Sequence, residues 1–357
     1  MTLLWINLII VFLFSVSARY FASPVLVGNY YLNVKPNILL VIGAACSLVL
    51  ISGLRNNIGD TYFYMHAYEF HNFTWELIKE QKDIGFGLLQ MFLKGYSKDA
   101  QTLIFLTALL TNVLIISVLA KYSRLFELST YVYITGGLYL VSMNGIRQVL
   151  AAAIIFTATK FIINGNWIAY FVVVFIASTF HQSALILLPI YFLVRYKAWS
   201  RATIILFFFS ILIVLGYNQF STLLFSAIQD TQYADYSEFN EGGANVVRVA
   251  VYAAPLGVAF LGKEKLREIS PTSDYIVNMA LVGLIFMIIS TQNWIFARFS
   301  IYFNLYQLIL VSWIVKLFKE REQRFVYIAL ILFYFLYYYY ESVISLNIVY
   351  KSDFWGV

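Results

Sequence analysis

Apolar runs of helix-spanning length alternate with short polar connections along the whole chain. About 20 mostly apolar residues cross a bilayer as a helix, because only a helix satisfies each backbone group within its own segment. Read in order, the runs predict spans at 3–17, 37–54, 101–120 and 129–143, then a helical hairpin over 144–181. Further spans are predicted at 183–194, 202–216, 246–262, 274–291, 299–315 and 325–344, about twelve crossings in all. The first run has neither a charged n-region nor a convincing cleavage site and reads as a retained helix. The fourth is short and stops at Asn144-Gly145, so its end is expected below the bilayer surface. Two stretches, 55–100 and 217–245, are too polar to cross and are expected as surface loops, the first folded into short amphipathic helices.

The hairpin organises the rest. Its helices turn at Asn164-Gly165-Asn166, with Arg147 eighteen residues before Gly165 and His181 sixteen after it. At 1.5 Å per residue both return to a common height roughly 25 Å from the turn. A cation and an imidazole are therefore expected side by side.

Composition fixes the setting. With 61% hydrophobic and 12% charged residues and a mean hydropathy of +0.78, the 357 residues cannot hide their apolar groups in a water-soluble globule. The fold class is an all-α polytopic membrane protein, read as one integral-membrane domain over 1–357. The single cysteine, Cys46, excludes an intrachain disulfide and reads as a small core residue. The net charge of +6 comes from short basic clusters between spans, which is a membrane-orientation pattern and not a nucleic-acid surface.

Loops 121–124, 195–201, 263–267 and 316–324 carry most of the Lys and Arg, and with twelve spans they share one side. That side is expected to be cytoplasmic. Both polar stretches, Asn144, Arg147, His181 and Arg298 then fall on the extracytoplasmic face of the cytoplasmic membrane, although none of them set the orientation.

A lone arginine at a span end is usually a snorkelling anchor. Four of them, Arg55, Arg147, Arg248 and Arg298, on the face where cations are the minority can instead form a pocket for a phosphate-like anion, whose oxygens match guanidinium forks. His181 reads either as a structural histidine hydrogen-bonded near Ser183 and Asn144, or as a reactive group. Asp60 and Glu69 are equally readable as solvated loop acids. Aromatic residues of 62–75 suit stacking on sugar rings, while most of the 28 Tyr and 32 Phe belong to lipid contact and interface. No GxSxG, Walker, GxGxxG or HExxH pattern occurs, and His66 and His71 are poorly spaced as ligands, so neither a metal nor another cofactor is expected.

Four segments together carry a family resemblance: Arg55-x4-Asp60-x3-Tyr64, Arg147-Gln148-x2-Ala151, Ala177-Ser178-x2-His181-Gln182-Ser183-Ala184, and Arg298-Phe299-Ser300-Ile301-Tyr302-Phe303. In this order, over about 55–303, the chain resembles the EpsG family, Wzy-like membrane polymerases of exopolysaccharide, capsule and O-antigen. The resemblance implies a metal-independent, GT-C-like glycosyltransferase that uses undecaprenyl-pyrophosphate-linked oligosaccharide. It also implies as partners a flippase and a chain-length regulator of the same pathway, besides the bilayer. On that reading Arg147, Arg298, Arg55 and Arg248 hold pyrophosphate, and Gln148, Tyr64 and Tyr302 add contacts to pyrophosphate or glycan. His181 or Asp60 serves the acceptor hydroxyl. Two other classes compete, a flippase of lipid-linked oligosaccharide and a membrane O-acyltransferase. The first predicts paired broken helices in two similar halves, and no such self-similarity is visible. The second usually places its histidine in mid-helix, whereas His181 ends one.

Overall fold

The computed structural model describes residues 1–27, 30–219, 221–222 and 242–356, so most of the expected loop 217–245 lies outside the described residues. The protein is nearly all-helical. Helix α1 (Thr2–Tyr20) leads into an antiparallel hairpin of β1 (Ser23–Val27) and β2 (Tyr30–Lys35), which hydropathy did not foretell. Helix α2 (Ile38–Gly53) begins where the Asn37 side chain accepts from the Leu39 and Leu40 N–H groups, capping two otherwise unpaired donors. The polar stretch that follows folds into three short helices, α3 (Thr61–Phe70), α4 (Trp75–Lys79) and α5 (Ile84–Lys94).

Helix α6 (Gln101–Tyr122) precedes a broken pair, α7 (Phe126–Thr135) and α8 (Leu138–Asn144), where one span over 129–143 was expected. Every residue of α7 is buried, and the half-buried break at Gly136-Gly137 lines a cavity, a setting in which non-helical backbone is tolerated at membrane depth. The hairpin forms as α9 (Ile146–Thr157) and α10 (Thr159–Asn164), then α11 (Trp167–Phe180). Gly165 turns it at φ +74°, a left-handed conformation that costs a side-chain-bearing residue about 1 kcal/mol or more. Beyond lie α12 (Leu187–Leu193), α13 (Arg201–Leu215), α14 (Val246–Leu261), α15 (Lys263–Ile269), α16 (Ser273–Ile289), α17 (Ile295–Ile314) and α18 (Glu320–Tyr339). A π-helical segment, Tyr340–Ser345, extends α18.

By length and composition, five described helices can cross a membrane, or six when α14 and α15, bent by 83°, count as one span. Six more apolar helices are shorter, Ile38–Gly53 and Ser273–Ile289 among them. The core centres on α7 and α17, which are buried almost all round, as helices inside a membrane bundle are. Polar side chains join the helices there: Asn112 donates to Ser52 Oγ at 3.1 Å and accepts from Tyr133 OH at 3.1 Å. Such bonds contribute roughly 0.6 kcal/mol each in a bilayer, enough to set register but not to drive association. The periphery is apolar, with Ile9 and Leu13 of α1 and Val172 and Ile176 of α11 exposed. Cys46 belongs to this outer surface of α2, contrary to its expected place in the core.

The two ends of the bundle differ in chemistry. At the end marked by the Gly165 turn, Arg195 donates to Ile162 O (2.9 Å), Arg267 to Ala198 O (3.1 Å), Arg124 to Ile269 O (2.6 Å) and Lys265 to Leu317 O (2.9 Å). The four basic loops therefore gather together. The other end of the same hairpin gathers residues 55–60, 143–148, 181–183, 298 and 340–349 through their own hydrogen bonds, such as Arg55 to Met143 O (2.6 Å) and Asn57 to Val349 O (2.6 Å).

Candidate functional site

A cavity of about 610 Å³ opens at this second end. Asp60, Tyr64, Arg147, Gln148, His181, Arg248 and Arg298, drawn from five separate stretches of the chain, line it together.

Arg147 stands in the first turn of α9 with its fork held in place. Nη1 donates to Asp83 Oδ2 at 2.8 Å and Nε to Tyr64 OH at 3.3 Å, while the rings of Tyr64 and Phe86 lie 5.7 and 5.9 Å from the guanidinium carbon. These bonds leave Nη2 as the edge of the fork for a ligand. Asp83, at the start of α5, accepts the Gln182 N–H on its other oxygen at 3.0 Å. One buried carboxylate thus ties Arg147 to the residue following His181. Burial raises the Asp83 pKa, against the opposing pull of Arg147, the Gln182 N–H and Lys82. Gly85 allows α5 to come this close to α11, since a Cβ there would fall 2.3 Å from Thr179 Oγ1.

His181 ends α11 in extended conformation and lies outside the helical segments. Its Nδ1 faces the Ser183 backbone N–H at 3.4 Å and the Ser183 hydroxyl at 2.8 Å. A backbone N–H can only donate, so Nδ1 is the acceptor nitrogen and the ring hydrogen of the neutral imidazole sits on Nε2. Burial first, then the charges of Arg147 and Arg298, lower the His181 pKa to about 4, which keeps the ring neutral near pH 7. Behind it, Ser183 Oγ bonds Tyr302 OH at 2.7 Å, and Gln148 Nε2 reaches Ser183 Oγ at 3.4 Å and the Arg298 carbonyl at 2.9 Å. Gln148 therefore fastens the hairpin to the start of α17, where Arg298 lies over the Trp294 ring at 4.7 Å.

Three expected anion contacts are placed differently. Arg55 does not line the cavity: its side chain is fully buried and donates to Ser52 O, Met143 O and Thr61 Oγ1, locking α2, α3 and α8 together. Burial lowers its pKa to about 10, so it is still a cation, stabilised by the carbonyl oxygens it bonds. Tyr302 does not line the cavity either, and its hydroxyl bonds Ser183 Oγ, two residues after His181. Arg248 does line the cavity but is paired with Glu341, both bonds going to Oε1. Asp60 lines it too, with its N–H on Asn144 Oδ1 at 2.9 Å, and interacts electrostatically with Arg147.

The sequence reading passed over Asp83 and Glu341 as site residues. Asp83 is one of many loop acids and carries no local signal. Glu341 does carry one, as the only acid in the last apolar run, and a carboxylate inside a span is costly unless it is used. Among the described residues, no three His, Cys, Asp or Glu side chains gather as metal ligands.

Arg147, Arg298 and His181, the last two steadied by Gln148, thus offer the cavity hydrogen-bond donors with positive charge, the complement of an anionic, oxygen-rich group. The model of the EpsG family matches residues 38–352. No curated protein and no solved structure matches the chain.

Proposed function

The chain belongs to the EpsG family, the match covering most of its length, and from that premise we propose that it is a polysaccharide polymerase of the bacterial cell envelope. In this reading it transfers a glycan from an undecaprenyl-pyrophosphate carrier to a hydroxyl of a lipid-linked acceptor repeat. The observation that carries the proposal is the convergence of Arg147, Arg298, Gln148 and His181 on one cavity at one end of the bundle.

As the bond from sugar to carrier breaks, negative charge grows on the pyrophosphate. Donors already fixed in place stabilise that charge without reorganising, and two arginines with an Nε2–H imidazole supply such donors. His181 is then assigned to the leaving group as a hydrogen-bond donor rather than to the acceptor as a base. Arg147 is held by Asp83, so its fork stays oriented when the site is empty. The basic loops at the opposite end support reading that end as cytoplasmic and the cavity as extracytoplasmic.

A strain lacking the protein should display surface polysaccharide cut to single repeats, and purified protein given lipid-linked repeats should build a ladder. Repeats trapped on the cytoplasmic side would support a flippase instead. A full-length polymer altered only in acyl decoration would support an acyltransferase.

A further inference from the structure

Glu341 is the one buried carboxylate of the cavity wall for which the reading above has no use. It is 5% exposed and lines the cavity with Tyr338 and Ser342. Arg248 bonds it one-sidedly: Nε and Nη2 both go to Oε1, and Oε2 is buried with no partner among the described residues. The Tyr338 and Ser342 hydroxyls are also buried without partners among the described residues. Three unpaired polar oxygens in one wall are unusual, because buried polar groups are nearly always paired. The backbone here departs from the α-helix. Leu346 N–H bonds Glu341 O at 2.9 Å, the five-residue step of a π turn, which shifts the side chains out of the α-helical register of α18.

The chemistry of this group selects its ligand. A carboxylate oxygen beside two hydroxyls repels phosphate but fits a sugar, whose hydroxyls both donate and accept. In-line displacement at an anomeric carbon needs the attacking hydroxyl on the side away from the departing pyrophosphate. Asp60 interacts with Arg147 and so belongs to the pyrophosphate side, and His181 presents Nε2–H, a donor.

We infer that Glu341 is the acceptor-side base of the site, with Arg248 as the residue that positions it, an assignment that rests on the polymerase reading. The acceptor hydroxyl binds Oε2. Its proton passes to Oε2 as its oxygen bonds the anomeric carbon, and the bond from that carbon to the pyrophosphate breaks, the electron pair leaving on pyrophosphate. The proton then returns to water.

The test uses the full-length protein in lipid nanodiscs, with a lipid-linked repeat unit as both donor and acceptor. Glu341→Gln should lower transfer on the order of 100-fold or more while the affinity for lipid-linked repeat changes less than about twofold. The charge-free pair Arg248→Met with Glu341→Leu keeps the wall apolar and should fold to wild-type yield and melting temperature, yet be inactive; it carries the test should Glu341→Gln alone fold poorly. Wild-type transfer in Glu341→Gln, or recovery of transfer in the charge-free pair, overturns the assignment and leaves a structural ion pair. A wild-type protein that builds no polymer overturns the polymerase reading and this assignment with it, so the two failures are distinguishable.

Discussion

The ring of His181 is held by its Nδ1 against Ser183, and that single contact decides what the residue can do. A glutamine places an N–H near the position of Nε2, whereas an asparagine replaces the Nδ1 side. His181→Gln should therefore keep much more transfer activity than His181→Asn, whose loss should be on the order of 100-fold, the usual cost of one missing transition-state donor. Equal loss in both would return the residue to the role of base. The depressed pKa adds a stability effect. Unfolded, the ring titrates near 6.5 and folded near 4, so the folded protein binds fewer protons between those values. Its contribution is complete above about pH 6.5 and is lost as the pH falls toward 4, which melting curves of wild-type and His181→Gln protein should show as a difference confined to that window. Arg55 has a different function. Removing its guanidinium strands two carbonyls and a hydroxyl, so Arg55→Ala should cost roughly 2–4 kcal/mol of stability. The yield and melting temperature of purified protein should fall, with little change in donor affinity of the folded fraction.

At the scale of elements, the hairpin from α9 to α11 was legible in advance. Two apolar runs of matched length around Asn164-Gly165-Asn166 leave little choice of geometry, and Arg147 and His181 do meet at one cavity. Gly165 holds that turn at φ +74°, with Arg195 packed 3.4 Å from where a Cβ would be. Gly165→Ala should lower stability by about 1 kcal/mol through the left-handed backbone. Because the turn is at the far end from the cavity, turnover per folded molecule should stay at the wild-type value; a loss of turnover at full stability would tie the turn to the chemistry. The break between α7 and α8 was less legible, because hydropathy sums over a window and cannot tell one span from two helices kinked at Gly136-Gly137. The π turn at Tyr340 was hidden for the same reason: one added residue changes which side chains face inward without changing the hydrophobicity of the run.

For the whole molecule, the separation of basic loops from the cavity makes a topological prediction. In a Cys46→Ser background, needed because Cys46 is exposed, single cysteines at the exposed positions Glu80 and Lys98 should react with an impermeant maleimide added to intact cells. Cysteines at Glu264 and Arg321, exposed at the basic end, should react only after permeabilisation. Labelling of Glu264→Cys in intact cells would invert the orientation and move the cavity to the cytoplasmic face.

The sequence by itself determined the membrane class, the helical secondary structure, the hairpin and the sorting of charge between two ends, because each depends on properties summed along a segment: hydrophobicity, length and loop charge. Only the tertiary structure decided which of the four arginines line the cavity and what holds each of them. Arg55, Arg147, Arg248 and Arg298 look alike along the chain, and much of what separates them comes from partners of their side chains far off in sequence, Met143 O for Arg55, Asp83 for Arg147 and Glu341 for Arg248, which lie 88, 64 and 93 residues away. A charge keeps its reach for a ligand only where the fold leaves part of it unpaired, and pairing over such distances is fixed by how helices pack, not by the residues that flank the charge.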